Sequence, residues 1–407
     1  MQTNLADFIR GSARGERAEE ILRKCVHCGF CTATCPTYQL LGDELDGPRG
    51  RIYQIKQVLE GEPATRGAQQ RLDRCLTCLS CETTCPSGVE YHKLVEIGRE
   101  VLEEQVPRPA LERAARFGLR KALPNRAIST PMLRAGQLFR PLLPGALKSK
   151  VLPRRDPGQW PDAQRQRKML FLDGCVQPAM APNINAAAAR VLDRLGIQLL
   201  RSSGDGCCGA VSQHLSAPGE AADYIRRNID AWWPAIEAGA EAIVITASGC
   251  GALVQDYADL LRDDPNYADK AARVSELAKD ICAVLRDEDL SALKNDASKP
   301  LVAFHAPCTL QHSLKLGGVV EGILRELGYP LTEVPDAHLC CGSAGTYSIL
   351  QAKLSEALLD NKLAALQSGG PAVIATANIG CLHHLQSGCE IDVRHWIELV
   401  DAALIAA

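Results

Sequence analysis

Eighteen cysteines stand in a chain of 407 residues whose aromatic content is only 4%, and eight of them repeat one pattern. Cys25-x2-Cys28-x2-Cys31-x3-Cys35-Pro36 returns as Cys75-x2-Cys78-x2-Cys81-x3-Cys85-Pro86. Spacers of two residues let three thiolates wrap one face of a compact cluster. In two-cluster ferredoxins the fourth cysteine, set before Pro at the start of a helix, ligates the other cluster. The expected ligand sets are therefore Cys25, Cys28, Cys31 and Cys85 for one [4Fe-4S] cluster, and Cys75, Cys78, Cys81 and Cys35 for the second. Cys-x2-Cys alone serves zinc as well, but two full runs that both close on Cys-Pro favour iron-sulfur over a zinc scaffold. Iron held by four thiolates has no open position, so electron relay is expected and no catalytic residue. His27 and His92 read as ordinary surface histidines. Asp46-Gly-Pro-Arg-Gly-Arg-Ile52 reads as a turn that docks a partner or braces the connection between the runs.

The other ten cysteines begin at Cys175, and eight of them also come in two copies. Cys175 is followed 32 residues later by Cys207-Cys208-Gly209, and Cys308 by Cys340-Cys341-Gly342, at a constant offset of 133. Each copy then has an apolar run ending in a lone cysteine, Cys250 or Cys381. Inert buried thiols would not need matched spacing, so Cys175, Cys207, Cys208 and Cys250, and Cys308, Cys340, Cys341 and Cys381, are candidates for a further iron-sulfur, metal or redox site. Cys282 and Cys389 lack counterparts and read as structural. Gly204-Asp-Gly206-Cys-Cys-Gly209 matches a dinucleotide fingerprint, but the second copy keeps only Cys-Cys-Gly, so sulfur is the repeated feature. The chain has no Walker A run, no His-Glu-x-x-His, no Gly-x-Ser-x-Gly and no flavin fingerprint. Substrate chemistry is thus expected on another polypeptide.

These residues need elements to hold them. Short apolar runs (Met169 to Leu172, Ile243 to Thr246, Leu301 to Phe304, Val373 to Thr376) alternate with helical patterns ending in Leu195-Gly196 and Leu327-Gly328, which predicts parallel α/β units with cysteines on loops at strand ends. The expected fold is multidomain. Residues 1–105 form a helical, ferredoxin-like domain for two [4Fe-4S] clusters, 106–168 a connector, and 169–297 and 298–407 two α/β Cys-Cys-Gly units. The connector holds nine prolines and fifteen Lys plus Arg against three Asp plus Glu, in a chain whose net charge is −3. Proline at that density predicts short helical pieces, such as Leu111 to Leu123, joined by extended turns. The charge predicts docking, through Arg154, Arg155, Arg165, Arg167 and Lys168, onto anionic headgroups or an acidic partner. No nucleic-acid partner is expected. The first twenty residues have no apolar core of a signal segment and no run approaches a membrane span, so a cytoplasmic chain is expected, peripheral on the inner face of the inner membrane.

The double cysteine module, connector and two Cys-Cys-Gly repeats resemble the family that includes iron-sulfur subunits of glycolate oxidase, anaerobic glycerol-3-phosphate dehydrogenase and heterodisulfide reductase. The strings from Cys25 to Ile52 and from Asn228 to Ile243 are most similar to the glycolate oxidase type. The resemblance implies a complex in which FAD is carried by partner subunits only, glycolate is oxidised to glyoxylate, and electrons pass through this chain toward a quinone or other membrane acceptor. Alternatives are an iron-sulfur subunit of a lactate or glycerol-3-phosphate dehydrogenase, or a catalytic subunit like heterodisulfide reductase. Repeats of that reductase end in Cys-x-x-Cys, whereas here Cys250 precedes Gly-Ala-Leu253 and Cys381 precedes Leu-His-His384. Only four cysteines of each copy carry over as candidate ligands.

Overall fold

The structure, a computed structural model, describes residues 1–406. The chain packs as two units, Met1–Phe117 with His338–Lys362, and Gly118–Ala337 with Leu363–Ala407.

The first unit is helical. Helix Tyr91–Gln105 packs against helices Ala13–Lys24, Pro48–Leu59 and Arg66–Asp73. Their apolar faces supply an aliphatic core of Ile21, Leu22, Ile55, Leu59, Leu72, Leu94 and Val95. Ser12 and Thr65 cap two of these helices by accepting from the Gly15 and Ala68 N–H groups at 3.1 Å, which satisfies donors the first turn leaves open. Gly98 lets helix Tyr91–Gln105 approach its neighbour, since a Cβ there would stand 2.7 Å from the Ile55 side chain.

Each cysteine run bends in the same way. His27 and Gly29 flank Cys28 with φ of 56° and 87°, and Thr77 and Leu79 flank Cys78 with φ of 53° and 61°. Left-handed non-glycine residues are disfavoured, so the same uncommon bend in both runs is a shared feature of the two loops. Cys35 precedes helix Pro36–Leu41, with Pro36 in its first turn. Cys85-Pro86 differs from expectation: it opens a turn rather than a helix, because Gly88 turns left-handed at φ 63°.

The second unit holds two parallel sheets. Strands β1 (Arg167–Phe171), β2 (Ile197–Leu200), β3 (Ile243–Ile245) and β4 (Ala278–Asp280) are ordered β2-β1-β3-β4, and β5 (Val302–His305), β6 (Val373–Thr376) and β7 (Val393–His395) follow in order. The shared pattern is the sequence repeat made visible, with β5 and β6 paired as β1 and β3 are. Helices Asn183–Arg194 and Val319–Glu326 end before Gly196 (φ 76°) and Gly328 (φ 85°), as the left-handed C′ position favours. The two sheets are joined by buried polar contacts: His395 Nε2 lies 2.8 Å from the Thr246 carbonyl, and the Ser248 and Thr309 hydroxyls meet at 2.8 Å.

The connector meets expectation in one helix and departs from it in another and in its charge. Helix Ala110–Ala122 falls where Leu111 to Leu123 predicts one, whereas Arg126–Phe139, 14 residues long, runs through Pro131. Pro131 lies on the exposed face and deletes one ladder bond, to the Ala127 carbonyl, which the helix tolerates. Three of the arginines expected to dock are also paired within the fold. Arg155 pairs with Asp392 at 2.7 Å and Glu398 at 2.9 Å, Arg165 with Asp193 at 2.8 Å, and Arg167 with Glu241 and Glu288 at 2.8 and 2.7 Å. These arginines are tethers of the connector rather than a docking patch, because acidic residues of the α/β unit stand within reach of each. Arg155→Gln should therefore lower unfolding stability by about 1–3 kcal/mol through the lost charge-assisted bonds to Glu398 and Asp392, measured by denaturant titration.

Candidate iron-sulfur and thiol sites

The first unit gathers the eight ferredoxin-type thiols into the two crossed groups. Cys25 feels the charge of Cys85 and Cys28, and Cys31 that of Cys25 and Cys28. Cys81 feels Cys78, Cys75 and Cys35. Short helices Phe30–Ala33 and Ser80–Thr83 carry the third cysteine of each run. Cys28 is exposed and Cys31 and Cys85 are half-buried, while Cys25 is buried like Cys35, Cys75, Cys78 and Cys81, so the first set reaches the surface through Cys28 and the second lies in the core. Among the described residues none of the eight thiols belongs to a group of three donors within 4.8 Å.

The electrostatics of the two sets differ. Burial pushes the Cys31 thiol up to about 11. Burial also opposes ionisation of Cys75, yet its pKa falls below the ordinary value, because the Arg51 and Arg99 guanidiniums, the Tyr91 hydroxyl and the Thr77 N–H face it. The Tyr91 hydroxyl donates to Cys75 Sγ at 3.6 Å and the Thr77 N–H at 3.4 Å. A thiolate-favouring pocket in a core is the setting a metal-thiolate group requires. His27 and His92 are not free surface histidines. His27 is half-buried edge-on to Tyr53, and His92 Nδ1 lies 2.8 Å from Glu82. Asp46-Gly-Pro-Arg-Gly-Arg-Ile52 braces the connection: Asp46 pairs with Arg71 and Arg74 at 3.1 and 2.9 Å.

In the second unit the first Cys-Cys-Gly copy brings its four thiols into one chain of contacts. Cys175 hydrogen-bonds Cys207, Cys207 bonds Cys208, and Cys208 bonds Cys250. The Cys207 thiol is pushed up to about 12: its bond with Cys175 pulls it down, while that with Cys208 and burial outweigh the pull. Binding a metal there would therefore release protons. The loop is held from below by Asn228. Its Oδ1 accepts from the Gly206 N–H at 2.9 Å, and its Nδ2 donates to the Cys207 carbonyl at 2.9 Å and to the Tyr257 oxygen at 3.2 Å. Tyr257 in turn donates to the Cys208 carbonyl at 2.8 Å. Gly209 takes φ 101°, as Gly342 takes 91°, and a Cβ on Gly342 would meet the Ser355 carbonyl at 2.6 Å.

The second copy is distributed differently. Cys340 and Cys341 lie in the segment His338–Lys362, which packs with the first unit, while Cys308 and Cys381 belong to the second. Cys381 has a neighbour that sequence reading missed, since a ring nitrogen of buried His305 lies within 4.8 Å of its Sγ. The signal was present: His305 stands three residues before Cys308, where the first copy has Leu172. Cys282 lies against buried Asp280, and Cys389 Sγ contacts the Leu385 and Ile391 carbonyls at 3.4 and 3.5 Å.

Residues 21–89 match the 4Fe-4S dicluster domain family, and residues 169–255 and 302–386 the Cysteine-rich domain family. The glycolate oxidase iron-sulfur subunit of Escherichia coli (strain K12) is 56% identical over 405 residues, 99% of both chains. The chain belongs to the glycolate oxidase iron-sulfur subunit family. A probable member from Bacillus subtilis (strain 168) is 30% identical over 92% of this chain and 91% of its own. Lactate utilization protein A of Bacillus licheniformis is 28% identical over 56% of this chain and 96% of its own. For this family member, Asn228→Ala should cost about 2–4 kcal/mol by leaving the Cys207 carbonyl and Gly206 N–H without their buried partner. Chemical denaturation measures the loss, and thiol titration of the native protein should show faster reaction at Cys207 and Cys208.

Proposed function

We propose that this chain is the electron-relaying subunit of a complex that oxidises glycolate to glyoxylate on flavin-carrying partner subunits and delivers the electrons toward a quinone. The observation that carries the reading is the crossed pair of thiol sets, one at the surface and one in the core. Cys25, Cys28, Cys31 and Cys85 hold one [4Fe-4S] cluster and Cys75, Cys78, Cys81 and Cys35 the other. Such clusters supply one-electron transfer. The chain's own residues do the rest: exposed Cys28 and Phe30 give a partner access to the first set, and the helical core excludes water from the second. The relay extends to the second Cys-Cys-Gly copy, because the buried Tyr347 ring lies beside Cys75, Arg51 and Cys340 at once.

Peripheral membrane attachment is supported by helix Arg126–Phe139. Ile128, Met132, Leu138 and Phe139, with Leu142 just beyond, are exposed large apolar residues at intervals that favour one helix face. Between Glu112 and Asp156 the chain has eleven Lys or Arg and no Asp or Glu. An apolar stripe with cationic flanks suits the headgroup boundary of an anionic bilayer, and among the described residues no helix is long and apolar enough to cross one.

Two measurements test these readings. Cys28→Ser should remove one of two [4Fe-4S] signals in electron paramagnetic resonance and stop electron flow from the flavin partner, and two intact signals would reject the ligand set. Leu138→Glu with Leu142→Glu should reduce co-sedimentation with anionic vesicles several-fold while leaving iron content unchanged, and unaltered sedimentation would reject the stripe.

A further inference from the structure

Arg51 is a guanidinium with 1% exposure in the middle of the first unit. Its Nε donates to the Arg71 carbonyl at 2.9 Å, and both Nη atoms donate to Thr37 Oγ1 at 3.2 Å. That hydroxyl stands 3.2 Å from Cys35 Sγ. The nearest carboxylate, Asp46, is equally buried but shared: its Oδ1 is 3.5 Å from Arg51, while its Oδ2 holds Arg71 and Arg74. Arg71 takes a second carboxylate, Asp43, at 2.6 Å. On the far side of the site Arg99 donates to the Leu72 and Cys75 carbonyls at 2.9 and 2.7 Å. Four guanidiniums thus meet two carboxylates around Cys35 and Cys75. Glu82, which faces Cys81, is engaged by His92.

Uncompensated charge is expensive to bury, so a local surplus of cations calls for an anionic group among them. A thiolate-ligated cluster is that group, and it becomes more negative when it accepts an electron. Burial opposes that step, and a fixed buried cation favours it. The other set has only partly exposed cations beside it: Arg49, paired with Glu44 at 2.7 Å, and the Met1 ammonium, whose nitrogen lies 2.8 Å from the Cys25 carbonyl.

We propose that Arg51 sets the reduction potential of the cluster held by Cys35, Cys75, Cys78 and Cys81, keeping a core-buried cluster reducible by its neighbour. The proposal rests on the ligand set given above. Arg51 acts through charge, and through Thr37 on Cys35, without ligating iron. Tyr347 adds a buried hydroxyl beside Cys75 that has no hydrogen-bond partner of its own, a second dipole available to the same site.

The test is a potentiometric titration of the full, iron-loaded chain followed by electron paramagnetic resonance, with iron content measured alongside. Arg51→Gln should shift one of the two signals to lower potential and leave the other in place. Arg51→Lys, which keeps the charge, should restore most of the shift. Asp46→Asn, which unmasks cationic charge, should move the same signal to higher potential. Equal shifts in Arg51→Gln and Arg51→Lys would show a packing effect and overturn the proposal. So would an unmoved signal in Asp46→Asn, which decides the matter if Arg51→Gln fails to retain iron. An unmutated chain with a single [4Fe-4S] signal would instead reject the ligand set.

Discussion

The buried carboxylate of Asp46 fixes the geometry of the first unit. It lies on the connection between the two cysteine runs, and three guanidiniums converge on it, Arg51 from the next helix and Arg71 and Arg74 from the approach to Cys75. A buried ion pair seldom stabilises a protein more than apolar packing would, because desolvation offsets the attraction, but removing one partner is strongly destabilising. The network therefore specifies arrangement more than it adds stability. It holds Cys35, through Thr37, and Cys75, through the 71–74 turn, at one place in the core.

Residue type and spacing made much of this legible. The cysteine runs, the 133-residue repeat and the four principal strand positions all follow from local pattern, because short continuous apolar runs and Cys-x2-Cys loops are short-range features. What was not legible depends on tertiary partners. Arg155, Arg165 and Arg167 look like a solvated basic patch in sequence, and only the fold reveals Glu398, Asp193 and Glu288 opposite them. Pro131 signalled a break, yet tertiary placement carried the helix through it. His92 looked like a surface residue until Glu82, ten positions earlier, came within 2.8 Å. Arg51 lay inside a string already noted for its glycines and proline, and nothing local shows that a guanidinium at that point is fully buried.

The two Cys-Cys-Gly copies show how one backbone plan supports different donor sets. Both place Gly in a left-handed turn after the vicinal cysteines, and both set a lone cysteine in a helix that follows a central strand. The residue at the end of the first strand differs. In the first copy Leu172 extends the apolar core, and the four thiols contact one another in a chain. In the second, His305 replaces it and brings an imidazole nitrogen to Cys381. Thiolates alone are soft ligands that favour iron-sulfur or copper(I) chemistry, whereas adding an imidazole broadens the set toward zinc and other borderline ions. The two copies thus share their strands, turns and glycine but differ, by Leu172 against His305, in the side chain at the end of the first strand.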